Sequence, residues 1–89
     1  MSRTLILGAE AACPTTTGAA TSFSEASAVR LVNTDSSAHV VSIVETQSGT
    51  GIGSFTMPAT SVEVIEKGYT QCVFASNAAV KGAKVGFTN

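Results

Sequence analysis

Between Ser61 and Ser76 the chain reads SVEVIEKGYTQCVFAS. Apolar and polar residues alternate in Ser61–Glu66, with Val62 and Val64 on one face and Glu63 on the other. A period of two is the mark of a half-buried strand. Thr70–Ser76 repeats the pattern, with Cys72 and Phe74 sharing a face. Lys67-Gly68-Tyr69 joins the two runs. The stretch predicts a β-hairpin, with Gly68 free to take a positive φ in the turn. One face of that hairpin packs on an opposing sheet.

The flanking sequence extends the pattern. AVRLVN, Ala28–Asn33, places Val29 and Leu31 on one face and Arg30 and Val32 on the other. NTDSS, Asn33–Ser37, is a turn cluster. AHVVSIVE, Ala38–Glu45, puts Val41 and Ile43 on one face and Val40, Ser42 and Val44 on the other. SFTM, Ser54–Met57, stops at Pro58, which has no N–H for a ladder. AKVGFTN closes the chain with Val85 and Phe87 alternating against Lys84 and Gly86. RTLIL, Arg3–Leu7, is a short apolar run ended by Gly8.

About seven short strands at a spacing of roughly 8–12 residues, with turn signals between them, predict an all-β fold. The expected architecture is a small antiparallel β-sandwich. A small closed β-barrel is the alternative, because periodicity does not separate the two. The expected core is Val29, Leu31, Val41, Ile43, Phe55, Val62, Val64, Phe74, Val85 and Phe87.

Gly8–Ala28 behaves differently. It is rich in Ala, Thr and Ser, contains Pro14 and Gly18, and has Phe23 as its only large apolar side chain. The Pro, the Thr run and the Gly are poor helix formers. The segment is expected to be an arm, a long crossing loop or an irregular edge strand. Ordering each residue costs roughly 1–2 kcal/mol of backbone entropy, which so little apolar area cannot offset. Contacts outside the sandwich are therefore expected, with Phe23 and Pro14 as contact residues.

The 89 residues make one domain, residues 1–89. Charged residues are 12% of the chain, about half the usual ~25%. The net charge is −1, below the magnitude of ~2–8 that suits a soluble monomer. Part of the surface is thus expected to be covered in the working state, by self-association or by a partner. The five Lys and Arg are dispersed and offset by six carboxylates, which argues against a nucleic-acid partner. Leu5-Ile6-Leu7 is too short for a signal peptide or a membrane span. Synthesis in a cytoplasm is expected.

Few residues offer chemistry. His39 is the single His; it sits in SSAHVV beside Asp35, Ser36 and Ser37, too close in sequence to converge as a triad. Cys13 and Cys72 cannot build a structural zinc site. They read as reduced thiols, with a disulfide between them as the alternative. Glu63 and Glu66, three apart, face opposite sides of a regular strand. SGTGIGS, Ser48–Ser54, has glycines at 49, 51 and 53 but no following Lys or helix N-terminus to hold a phosphate. It reads as a hairpin tip, with Gly49 and Gly51 as contacts for a partner. No catalysis, metal or cofactor is expected.

The order AVRLVN, HVVSIVE, GSFTMPATSVEVIEKGYTQCVFAS and AKVGFTN resembles small β-sandwich proteins encoded among the virion genes of tailed bacteriophages, particularly those of cyanobacterial hosts. The resemblance covers Ala28–Asn89, about two-thirds of the chain. Its pieces are packing and turn patterns. It implies a virion structural protein, most simply a capsid decoration or cement protein whose partner is the major capsid protein or another virion protein. The alternative is a receptor- or carbohydrate-binding module of a tail or fibre protein. Sugar binding usually needs exposed aromatics, and this chain has Tyr69, four Phe and no Trp.

Overall fold

The computed structural model describes residues 3–88. It contains eight strands: β1 (Arg3–Ile6), β2 (Ala11–Ala12), β3 (Ala28–Asn33), β4 (His39–Val44), β5 (Gly51–Met57), β6 (Val62–Glu66), β7 (Cys72–Ala75) and β8 (Val80–Thr88). One 3₁₀ turn covers Thr17–Ala19. The strands form two antiparallel sheets, as a small β-sandwich requires. One runs in the order β1-β8-β3-β6, with β2 also pairing β8; the other runs β5-β4-β7.

The stretch Ser61–Ser76 is not a hairpin. β6 pairs with β3, Val29 opposite Ile65 and Val32 opposite Val62. β7 pairs with β4, Val41 opposite Ala75 and Ile43 opposite Val73. Lys67–Gln71 therefore carries the chain from one sheet to the other, and Gly68 does not adopt a positive φ. Partner choice here depends on strands thirty residues away, and local alternation carries no record of it.

The inner faces meet over a core of Cys13, Phe23, Ala26, Val29, Leu31, Val41, Met57, Val73, Ala75 and Val80. Ile43 and Phe55 pack against it as expected, together with Ile65. Val62 and Val64 are exposed instead. Strand β6 has apolar residues on both faces, and Ile65, opposite Val29, takes the inward place. On β7 the inward residues are Val73 and Ala75, while Cys72 joins a second cluster with Ala20, Val44 and Phe74. Val44 falls in that second cluster by simple alternation, opposite Cys72 in the β4–β7 ladder; the register shift at Ile43/Val44 leaves Ile52 of β5 without a partner.

Phe87 is 52% exposed, against expectation. Val85 is buried but stands outside the main core. Gly82 of β8 faces Phe23 and Leu31, so Ala83 and Val85 both lie on the opposite face of β8. Arg30, opposite Ala83 in register, comes within 3.9 Å of Glu10 across β8.

Gly8–Ala28 is stitched into the sandwich and is not a free arm. The Cys13 N–H donates to Val80 O, the Ala75 N–H to Pro14 O, and Thr21 and Val73 exchange both backbone bonds. The segment thus closes the open edge of β7. Phe23, Ser24 and Glu25 all have left-handed φ values of 53°, 59° and 56°. Such residues cost roughly 1–2 kcal/mol each. Burial of the Phe23 ring contributes roughly 1.5–3 kcal/mol in return. The turn is also held by Thr21 Oγ1 accepting from Phe23 N–H, Ser22 Oγ accepting from Glu25 N–H, and Ser22 O accepting from Ala26 N–H.

Candidate functional site

Among the described residues Asp35 and His39 form the closest pair of ionisable side chains, Oδ2 to Nε2 at 2.7 Å. Asp35 lies in the loop after β3 and His39 begins β4, so a tight sheet-to-sheet connection brings them together. The His39 hydrogen bond, and then the Ser36 N–H, hold the Asp35 carboxyl below its usual range. Ser36 meets Asp35 through its backbone N–H. Ser37 contributes its carbonyl to Asn33 Nδ2. The pair therefore serves to shape the β3–β4 connection.

The other chemical candidates are scattered. Cys13 and Cys72 are free and buried in different clusters. Burial pushes the Cys13 thiol up to about 11. The thiolate, the nucleophilic and metal-binding form, is thereby disfavoured. Glu63 and Glu66 lie opposite Leu31 and Ala28, on alternate faces of β6. Among the described residues no three His, Cys, Asp or Glu side chains cluster to hold a metal.

The four expected contact residues do not form one surface. Pro14 and Phe23 line one open hollow of about 300 Å³, together with Gly8, Ala11, Ser24 and Lys84. Phe23 is spent in the protein's own core, so it cannot anchor in a neighbour's groove. Gly51 lines a second open hollow of about 370 Å³ on β4 and β5, with Val44, Ile52 and Phe74. Gly49 sits in the β4–β5 turn, where a Cβ would come 2.6 Å from Thr46 Oγ1. Its role is to allow that turn to close.

Two polar residues at turns, Asn33 and Lys67, are buried and bind the fold together. Asn33 Nδ2 donates to the carbonyls of Ser37, Met57 and Pro58, and its Oδ1 accepts from Asp35 N–H. It ties the end of β3 to the end of β5. Lys67 Nζ donates to the carbonyls of Ala26, Gln71 and Gly68 at 2.8, 2.7 and 3.2 Å. Nothing in a polar residue beside Gly or Thr announces burial.

The outer surface carries the more unusual feature. Leu5, Ile6, Leu7 and Phe87 are each about half exposed or more, at 46%, 68%, 52% and 52%. All four belong to β1, its immediate continuation, or the end of β8. Val62 and Val64 lie exposed on β6, at the other edge of the same sheet. The sequence signal for the first group was the run Leu5-Ile6-Leu7, apolar on both faces of a strand. No family model, no curated protein and no solved structure matches the chain.

Proposed function

We propose that the chain is a non-enzymatic structural subunit of a tailed-phage virion, most simply a capsid decoration or cement protein. The observation that supports this best is apolar side chains exposed at both edges of the five-stranded sheet, Leu5, Ile6, Leu7 and Phe87 at one and Val62 and Val64 at the other. Apolar side chains left exposed together at a sheet edge of a small domain mark an interaction site. The low charge and net charge of −1 agree with a surface that works covered. The resemblance of Ala28–Asn89 to phage virion sandwiches supplies the setting. Many weak contacts repeated over a symmetric shell would add to firm attachment.

The test is co-expression with the major capsid protein of the same genome, followed by sedimentation of assembled shells. A decoration protein co-sediments in copy numbers comparable to the capsid protein. A chain that stays in the supernatant, or is found in virions at a few copies only, sinks the decoration reading. The few-copy outcome would favour the tail or fibre alternative.

A further inference from the structure

Among the described residues β1 pairs with β8 and with no other strand, so one of its sides is an open edge. The Leu7 N–H donates to Lys84 O at 2.9 Å. In an antiparallel ladder, alternate residues turn their peptide groups to the partner. Arg3, Leu5 and Leu7 thus bond inward to β8, and the N–H and C=O of Thr4 and Ile6 point outward. Natural sheets guard such edges with charges, Pro, bulges or a covering segment. The outer edges of β7, β6 and β5 are guarded: β7 by Pro14 and Thr21, β6 by Glu63 and Glu66, and β5 by the irregularity at Ile52. Among the described residues nothing guards Thr4–Leu7.

We propose that this edge docks a second copy of the chain, by antiparallel pairing of Arg3–Leu7 with the same segment about a two-fold axis at Leu5. In that register Thr4 lies opposite the second copy's Ile6, and Ile6 opposite its Thr4. Each pair exchanges both backbone hydrogen bonds, so all the outward groups are satisfied. Leu5 meets its own copy as a close non-hydrogen-bonded pair. Leu7 lies against the stem of the second copy's Arg3. On the other face, Ile6 lies beside the second copy's Thr4, which is opposite Phe87 in its own sheet. The two arginines sit at opposite ends of the pairing, so like charges do not meet.

The symmetry argues for a second copy over a foreign strand. The outward groups are placed evenly about Leu5, and the apolar residues on both faces find apolar or aliphatic neighbours in the same segment. One strand pair buries less than the ~1,200 Å² of a standard stable interface. The dimer is therefore weak in dilute solution and gains strength where copies are held side by side. It rests on the sheet edge and not on the virion reading. A chain that dimerises but ignores shells would keep this inference and sink the other.

The experiment is sedimentation velocity of the full chain over a concentration series, with circular dichroism to check folding. Wild type is expected to shift from monomer to dimer with concentration. Leu5→Lys and Leu5→Glu should each lose the dimer by placing like charges across the axis, and mixing the two should restore it. Ile6→Pro removes an outward N–H but none of the β1–β8 bonds; it should be folded and monomeric. A wild type that stays monomeric throughout would leave the edge to a foreign strand and overturn the proposal. So would a dimer that persists in Leu5→Lys or Ile6→Pro, or variants of Leu5 that do not recombine on mixing.

Discussion

The ring of Phe23 lies directly over Gly82: a Cβ at that glycine would come 2.6 Å from Phe23 Cζ and 3.0 Å from Leu31 Cδ2. Segment 8–28 and strand β8 are thus fitted to one another side chain against backbone. Gly82→Ala should destabilise by about 1–3 kcal/mol through overpacking. Phe23→Ala should cost about 3–5 kcal/mol through the cavity it leaves. In the double variant the clash is gone, so the two costs should fall short of their sum. Urea unfolding of the four proteins measures this. Strict additivity would mean that the ring does not rest on Gly82.

Lys67 gives a second test. Lys67→Met keeps the aliphatic stem but leaves the carbonyls of Ala26, Gln71 and Gly68 without their shared donor. The loss should be roughly 1–3 kcal/mol, where an ordinary surface substitution stays within about 0.5 kcal/mol. A thermal midpoint unchanged from wild type would show that Lys67 is solvated in solution.

The Cys13 thiol titrates at about 11 because it is buried, against an ordinary 9.0. Its folded-state value is raised, so folding retains a proton that the unfolded chain releases. Its contribution to stability is complete below pH 9.0 and is lost as pH rises towards about 11. Wild type minus Cys13→Ala should show this alkaline decline in denaturant midpoints; a constant difference from pH 8 to 11 would contradict it. A thiol reagent at pH 8 should label Cys13 only on unfolding.

The inward and outward faces of the β3–β6 pair can be read by substitution. Leu31 is fully buried and Val62 is 47% exposed. Leu31→Ala should cost about 2–5 kcal/mol, while Val62→Thr should stay within about 0.5 kcal/mol. Comparable losses at both positions would place Val62 in a covered surface even in the dilute protein.

Acid stability isolates the Asp35–His39 contact. The folded-state Asp35 pKa is depressed, first by the His39 hydrogen bond. Its contribution is present above the ordinary value of 3.8 and is lost as pH falls below it. His39→Ala should therefore reduce the acid-side dependence of the thermal midpoint while the fold is kept. An unchanged acid limb would show that the pair is not formed in solution.

The alternation of AVRLVN, AHVVSIVE and AKVGFTN set where strands run, though β8 starts earlier, at Val80, and Pro58 set where β5 ends, because these depend on neighbouring residues alone. That made the all-β class legible, while the division into two sheets came from the pairing. Strand pairing was not: β6 joins β3 and β7 joins β4 through contacts distant in sequence, and a local hairpin reading had no access to them. Inward and outward faces failed where both were apolar, as in VEVIE, since burial there is decided by which sheet lies opposite. Phe23 was legible as the one large side chain of its segment, but its burial over Gly82 depends on a crossing that only the assembled sheets provide. The run Leu5-Ile6-Leu7 was plain in the sequence as well. That it lies on an unguarded edge, with apolar groups exposed, is a fact of topology, because a strand's edge is defined by the strands that do not pair with it.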